Sequence, residues 1–258
     1  ASLFAGRHGV INRLMLFEEW LCCRYAHRTI TVNHAIQAVF AARTGVEPFV
    51  SHNTPDQSAN QVQKARYERE KAVRKLIIHG YIHRRDGLDD VVRVVHRLNA
   101  PEVRFELDIY GDGPFLSGLQ AVVAELGSPV WCRLHGRYVA GEITASLAEA
   151  DLAIATYLPN SLAELRLPAK LLEAVSVGVP AICRDLPAIR HYFDEDCVYF
   201  FRTEEELAAQ LLLAASDYPE AERRAGNARN RLRGITWDVE GPRFARFVEA
   251  TAAARVIA

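Results

Sequence analysis

The sequence has little net charge, no paired-cysteine motif and no long apolar run, and each absence excludes a class of protein. Its 31 Lys and Arg residues nearly cancel its 32 Asp and Glu residues, which argues against a nucleic-acid binder that relies on bulk positive charge. The five cysteines are scattered, with no C-x-x-C and no nearby paired histidines, so they indicate neither a disulfide framework nor a zinc site. No apolar run approaches the ~20 residues that cross a bilayer, and the first ten residues lack the apolar core of a signal peptide. We therefore expect a globular cytoplasmic protein. Half of its 258 residues are apolar, which is enough to form a sizeable core.

A regular alternation of apolar strands and helices begins near residue 75. Strands are predicted over 75–82, 104–111, 130–138, 151–158, 180–185 and 197–201, and helices over 87–99, 115–127, 142–150, 169–178, 187–193 and 204–216. This alternation predicts βαβ units, and hence an α/β fold with a Rossmann-like, doubly wound parallel sheet. Such sheets bind ligands beyond the carboxyl ends of their strands.

A shorter α/β segment precedes this alternation. Its predicted elements are a helix over 13–28, a strand over 29–34, a helix over 35–44 and a strand over 47–53. The polar, turn-rich residues 53–75 that follow are interpreted as a linker or surface segment. We accordingly expect three parts: residues 1–60, residues 61–235 and a C-terminal helix over 236–258.

Two candidate sites lie directly after predicted strands. In IYGDGP (109–114), Gly111 and Gly113 allow close backbone approach to a ligand. In HGYIHRRDGLDD (79–90), Gly80 ends a strand, and Arg84 and Arg85 are placed to meet a phosphate. The alternatives are an ordinary tight turn in the first case and a solvated loop in the second.

A third candidate is the helix start RLPAKLLEAVSVGVP (166–180). Pro168 suits a first helical turn, and Lys170 lies early enough to meet an anion beside the free backbone N–H groups. Glu173 lies three residues later, on the same helix face, where its carboxylate can accept hydrogen bonds from the vicinal diol of a ribose. The pair indicates a nucleoside diphosphate; the alternative is an ordinary surface ion pair. Four histidines lie near predicted strand ends, and none is assigned a catalytic role: His34, His52, His79 and His135.

The order of these motifs over residues 47–240 resembles the nucleotide-sugar half of retaining glycosyltransferases of the GT-B fold, family 4. The P-x-K-L-x-E helix is similar to that of bacterial members found in exopolysaccharide or lipopolysaccharide assembly. The resemblance implies transfer of a hexose, with retention, from a UDP- or GDP-sugar to a glycan or lipid-linked acceptor. Because Arg85, Lys170 and the helix end could stabilise the leaving pyrophosphate, we expect no metal or other cofactor. DED (194–196) resembles the metal-binding D-x-D of the other glycosyltransferase fold, but it is interpreted as a solvated turn.

The resemblance implies a role for each matching position. Glu173 is similar to the carboxylate that binds the ribose. Arg85 and Lys170, with Arg84, are similar to the cationic side chains that bind the donor pyrophosphate. The glycine-rich loops correspond to Gly80, Gly111 and Gly113, the base-framing backbone to Tyr138 and Val139, and the sugar-facing stretch to Glu164, Leu165 and Leu167.

Two positions depart from the family pattern. The usual first glutamate falls at Leu165, with Glu164 one residue away as the candidate catalytic replacement. The usual lysine falls at Asp86, which leaves its role to Arg85 or Arg84.

The resemblance also sets expectations about partners. Residues 1–60 resemble only the end of an acceptor-side Rossmann-like domain, and the helix with Trp237 resembles the segment that crosses back to it. A complementary N-terminal-domain chain is therefore an expected partner, and nucleic acid is not. Helix 13–28 is either a packed domain helix or, through Trp20 and its arginines, a peripheral contact with the inner membrane face. Rival functions are a GT-B sugar-nucleotide epimerase and a catalytically silent nucleotide-binding module that serves a partner chain.

Overall fold

The computed structural model divides the chain into two compact units. The smaller unit comprises residues 1–53 and 238–258, and the larger unit comprises residues 54–237. The structure describes residues 9–55, 62, 64, 70–158 and 163–256. No helix among them is both long enough and apolar enough to cross a bilayer.

The smaller unit contains a short parallel βαβ arrangement. Helix α1 is Val10–Tyr25, strand β1 is Ile30–Thr31, helix α2 is His34–Thr44 and strand β2 is Phe49–Val50. The strands are shorter than the sequence predicts, because among the described residues β1 and β2 pair only with each other, over two residues each. Asn33 caps α2 by accepting a hydrogen bond from the backbone N–H of Ile36.

Helix α1 buries little of its apolar surface. Only Asn12 and Cys23 are buried, whereas Phe17 and Trp20 are exposed and stack on each other, with 5.9 Å between ring centroids. Packing within the described residues therefore leaves most of its apolar side chains exposed.

The larger unit is built on six parallel strands. They are β3 (Arg74–His79), β4 (Phe105–Tyr110), β5 (Cys132–Gly136), β6 (Leu152–Ala155), β7 (Ala181–Arg184) and β8 (Tyr199–Phe201). Their spatial order is β5-β4-β3-β6-β7-β8, and every pairing is parallel. The predicted α/β, doubly wound fold is confirmed.

The central strands are buried on both faces. Leu76, Ile77 and Ile78 of β3 are almost completely inaccessible to solvent, as expected for a parallel sheet covered by helices on both sides. The chain runs from β3 outwards to β5, then returns to the other side of β3 to form β6. This reversal between β3 and β6 is the place where open α/β sheets bind ligands.

Helices connect and cover the strands. They are α3 (Leu88–Leu98), α4 (Leu116–Glu125), α5 (Ala140–Glu149), α6 (Ala169–Val177), α7 (Pro187–Arg190), α8 (Glu204–Ser216), α9 (Tyr218–Leu232) and α10 (Trp237–Val256), which continues into the smaller unit. Helix α3 buries five apolar residues on one face, at the spacing of an amphipathic helix.

The two charged residues of helix α6, Lys170 and Glu173, are partly buried. It begins after Pro168 and ends at Gly178, whose left-handed φ of 89° terminates the helix. Six of its nine residues are buried, and Lys170 and Glu173 are among the three that are not.

Most of the predicted linker lies outside the described residues. Lys64 inside it is described, and it is buried rather than on the surface: its Nζ donates a hydrogen bond of 2.6 Å to the backbone carbonyl of Ala150. At this residue the expectation of a surface segment is wrong, because the lysine stem packs while its ammonium finds backbone acceptors.

Candidate functional site

The candidate site is a cleft of about 590 Å³ at the carboxyl ends of β3, β4 and β5. It is lined by Gly80, Tyr81, Gly111, Asp112, Gly113, Pro114, Arg137 and Tyr138. All of these residues belong to the segments that directly follow the three strands. The cleft therefore lies where open α/β sheets bind their ligands, beyond the carboxyl ends of the strands.

The glycines of this cleft allow two loops to pack backbone to backbone. A Cβ atom at Gly111 would lie 1.9 Å from the carbonyl oxygen of Gly80, and one at Gly113 would lie 2.3 Å from that of Ile82. The backbone N–H of Ile82 donates to the carbonyl of Asp112 at 3.0 Å, and that of Phe115 donates to the carbonyl of Ile82 at 3.2 Å. The glycine-rich sequence is therefore required by the contact between the loops after β3 and β4.

Glu173 of α6 meets the end of β3. Its Oε2 lies 2.6 Å from Nε2 of His79, the last residue of that strand. Tyr138 lies close by, with its ring edge-on to His79 at 6.3 Å between centroids. Burial and the nearby charge of Glu173 raise the pKa of the Tyr138 phenol, so it stays a neutral hydrogen-bonding group.

Two cations at the start of α6 share one aromatic ring. Lys170 Nζ lies 4.8 Å from the ring centroid of Tyr157, and the guanidinium carbon of Arg166 lies 5.3 Å from it. Burial lowers the pKa of Lys170, and the repulsion from Arg166 acts in the same direction, although Asp86 and Glu173 oppose both. Burial, followed by the charge of Asp86, raises the pKa of Tyr157 to about 12. Positive charge is thus concentrated where an anion would relieve it.

Arg84 and Arg85 lie on a 3-10 turn, Arg84–Asp86, between β3 and α3. The turn is held by His83: its Nδ1 accepts a hydrogen bond from the Arg85 N–H, and its own N–H donates to Asp86 Oδ2, both at 3.1 Å. The Arg85 carbonyl accepts a bond of 2.7 Å from the N–H of Leu158, in the segment after β6. Both arginine side chains are exposed, so they are accessible to a ligand over the strand ends.

Asp86, which stands where the resemblance leads one to expect a lysine, is a buried carboxylate. It is 4 % exposed, and its charge acts on Lys170 and Tyr157. Its negative charge therefore offsets part of the positive charge at the start of α6.

The side of the cleft below β5 carries an ion pair and an aromatic pair. Arg137 donates to Asp112 Oδ2 at 3.1 Å, while Asp112 Oδ1 accepts from the Gly113 N–H at 2.7 Å. The bond from Arg137, followed by that from Gly113, lowers the pKa of the Asp112 carboxyl. The rings of Tyr110 and His135 are stacked at 4.1 Å.

A buried carboxylate supports this side of the sheet. His135 is hydrogen-bonded to Asp108 at 2.8 Å, and Lys75 lies 3.3 Å from the other carboxylate oxygen. Burial opposes ionisation of Asp108 most strongly, but the bond to His135 and the charge of Lys75 together lower its pKa.

The remaining expected residues are spread around this centre. Tyr138 is half-buried, whereas Val139 is 65 % exposed. Glu164 and Leu165 lie on a 3-10 turn, Ala163–Leu165, that follows residues 159–162, which are outside the described part of the chain. Glu164 is exposed, and Leu167 packs against a core cluster. The structure therefore brings Glu173, Lys170 and Gly80 together, whereas no contact of Glu164 with them is seen among the described residues.

The acidic run 194–196 pairs with arginines. Asp194 pairs with Arg231, Glu195 with Arg190 and Asp196 with Arg223. Among the residues that the structure describes, no group of three His, Cys, Asp or Glu side chains is arranged to hold a metal ion.

Three residues at the centre of the site were not selected from the sequence. They are His79, Tyr157 and Arg166. His79 and Tyr157 carry a usable signal, because each lies at or just after the end of a buried central strand. Arg166 has only its closeness to Lys170 in sequence, which does not distinguish it from a surface arginine.

Comparison with known proteins adds a family match. Residues 73–217 match the family described as glycosyl transferases group 1. No curated protein gives a significant match.

Several solved structures share the fold at low sequence identity. S. aureus TarM aligns with a TM-score of 0.71 and 12% identity, over 89% of this chain and 45% of that chain. The pneumococcal O-GlcNAc transferase GtfA, in complex with UDP and GlcNAc, gives 0.67 and 17%, over 91% and 47%. Anabaena Alr3699/HepE in complex with UDP gives 0.74 and 15%, over 96% and 70%. The chain thus spans about half the length of TarM and GtfA.

Proposed function

Because the chain belongs to the family of group 1 glycosyl transferases, we propose that it is the donor-binding part of a retaining GT-B hexosyltransferase of family 4. Its donor would be a nucleoside diphosphate sugar, with UDP or GDP as the nucleotide. The observation that carries this proposal is the pairing of a cationic helix start with a carboxylate, Lys170 and Glu173, beside the reversal in strand order. Structures that share the fold, GtfA and HepE among them, contain UDP.

The cations would bind the donor pyrophosphate. Lys170 and Arg166 lie at the positive end of the α6 dipole, where a phosphate gains from both charge and backbone N–H groups. Arg85 and Arg84 would contact the same group from the turn after β3. As the bond to the sugar breaks, negative charge grows on the leaving diphosphate, and preorganised cations there stabilise the transition state without a metal ion.

The carboxylate would bind the nucleoside. Glu173 is one-third exposed, so its carboxylate can accept hydrogen bonds from two vicinal ribose hydroxyls. The backbone of Tyr138 and Val139 would frame the base on the β5 side of the cleft. The packed loops of Gly80, Gly111 and Gly113 would form the wall between sugar and base.

The transferred hexose and the acceptor would lie on the rim. Glu164, Leu165 and Leu167 would face the hexose, with Glu164 as the candidate catalytic carboxylate. A glycan or a lipid-linked acceptor would approach from an acceptor-side domain, which a complementary chain would supply. A peripheral contact of α1 with the inner membrane face would suit a lipid-linked acceptor.

Isothermal titration tests the proposal. The chain is titrated with UDP, GDP and ADP, with and without Mg²⁺, alongside Glu173→Ala and the control Glu125→Ala, an exposed glutamate paired with Arg93. We expect one nucleotide to bind selectively, independently of Mg²⁺, with binding lost in Glu173→Ala and kept in the control. Absence of binding to all three would overturn the proposal. Binding of UDP without hexose transfer, when an acceptor-side domain is supplied, would identify a silent nucleotide-binding module instead.

A further inference from the structure

The closest polar contact of Glu173 is with a residue of the central strand. His79 is the last residue of β3, and only 3 % of its side chain is exposed, whereas 34 % of the Glu173 side chain is exposed. The two side chains come from elements 94 residues apart in sequence, and Nε2 and Oε2 are separated by 2.6 Å. A buried imidazole on a rigid strand therefore holds a more accessible carboxylate on a helix.

Neighbouring groups interact with Glu173 and restrict the imidazole that contacts it. Lys170 lies one turn earlier on the same helix, and the charge of Glu173 acts on it. Tyr138 packs edge-on against the His79 ring, which restricts rotation of the imidazole. His79 is followed by Gly80, whose N–H donates to the Tyr110 carbonyl at 3.0 Å, so the backbone that carries the imidazole is also fixed.

This contact gives the two carboxylate oxygens of Glu173 different roles. With the proton of His79 on Nε2, the imidazole donates to Oε2 and occupies that oxygen. Oε1 and the remaining lone pairs then stay available as acceptors. Because the hydrogen bond from His79 already fixes the side-chain rotamer of Glu173, less conformational entropy is lost when the carboxylate binds a diol.

We infer that His79 is a positioning residue that orients Glu173 towards the ribose diol of the bound nucleotide. The inference rests on the proposed function, because it takes the nucleoside diphosphate as the ligand. It goes beyond that function in assigning the selectivity for a ribose with both hydroxyls to a pair of residues, His79 and Glu173, rather than to the carboxylate alone.

The test is the ratio of two dissociation constants, that of 2′,3′-dideoxy-UDP divided by that of UDP. Because the dideoxy compound lacks the hydrogen bonds to the charged Glu173, we expect a ratio of at least about tenfold in the wild-type chain. In His79→Leu, which removes the donor, we expect the ratio to fall below about threefold, as in Glu173→Gln. In His79→Gln, whose amide N–H can replace the Nε2 donor, the ratio is largely restored. His79→Asn, whose amide is too short to reach Oε2, behaves like His79→Leu and serves if the leucine variant fails to fold.

The ratio separates positioning from a merely structural role. A structural defect weakens both ligands equally and leaves the ratio unchanged, so an unchanged ratio in folded His79→Leu and His79→Asn overturns the inference while the proposed function stands. If the wild-type chain binds UDP and the dideoxy compound equally, the proposed role of Glu173 is overturned and the inference with it. If it binds neither, the ratio is measured with GDP and 2′,3′-dideoxy-GDP, and equal binding or no binding of that pair has the same meaning. His191→Leu, at an exposed histidine just after α7, is the control and keeps the full ratio.

Discussion

A single added methyl group at Gly113 should disturb both the fold and the cleft. A Cβ atom there would lie 2.3 Å from the Ile82 carbonyl oxygen and 2.9 Å from its carbonyl carbon and amide nitrogen. These atoms belong to backbone and cannot rotate away. Gly113 is not among the residues with positive φ, so the effect of Gly113→Ala is steric rather than conformational.

The size of the effect follows from the distances. Real Cβ atoms essentially never approach other heavy atoms within 3.0 Å, so the loops after β3 and β4 must separate by about 1 Å. Overpacking of this kind costs about 1–3 kcal/mol, and each kcal/mol lowers Tm by about 2–4 °C in a chain of this size. The same shift moves the loop backbone away from the ligand, and loss of one hydrogen bond, about 0.5–1.5 kcal/mol, should lower UDP affinity by about 2–10-fold.

The assay is thermal unfolding together with UDP titration, with Gly226→Ala as the matched control. A Cβ atom at Gly226, inside α9, meets nothing within 4 Å, and this substitution should stabilise the helix by about 0.5–1 kcal/mol without changing UDP affinity. If Gly113→Ala has the Tm and the UDP affinity of the unchanged chain, the close approach of the two loops is refuted.

Three further predictions concern charge and core packing. Lys170→Met should weaken UDP binding at least about tenfold in titration, as expected for loss of a charge-assisted hydrogen bond. Tm should be kept, because burial already disfavours the lysine charge. Unchanged affinity would exclude Lys170 as a phosphate ligand. Asp108→Asn should destabilise the fold more at pH 7 than at pH 3, because the folded pKa of this carboxyl lies below its unfolded value of about 3.9. Its stabilising effect is complete above the unfolded pKa and declines as pH falls towards and through the folded pKa, so equal losses of Tm at both pH values would contradict this. Leu76→Ala, at a side chain with 0% exposure in β3, should cost about 2–5 kcal/mol in denaturant unfolding, and a loss below about 1 kcal/mol would show that β3 is not central to the core.

The larger unit was predictable because its strands are buried on both faces and therefore form continuous apolar runs. Strand β3 illustrates the limit of such a prediction: the apolar run continues to Ile82, but Gly80, with φ of 116°, ends the strand at His79. Strands β1 and β2 are predicted too long because their length depends on hydrogen-bonded neighbours, which local sequence does not specify.

The candidate site was predictable in position but not in its contacts. Lys170 and Glu173 stand out because they are charged residues on an otherwise apolar helix that follows a strand. Their partners His79 and Tyr157 depend on how α6 packs over β3 and β6, and no local spacing encodes that packing. The glycines at 111 and 113 were interpreted as ligand-facing, and the distances show that they also let two loops touch.

The structure of the chain with bound UDP tests the central claim most directly. We predict that the nucleotide occupies the cleft at the ends of β3, β4 and β5, with the ribose hydroxyls within hydrogen-bond distance, about 3 Å, of Glu173 and the diphosphate beside Lys170. UDP found elsewhere on the chain, or bound in the cleft with its ribose turned away from Glu173, would contradict the account.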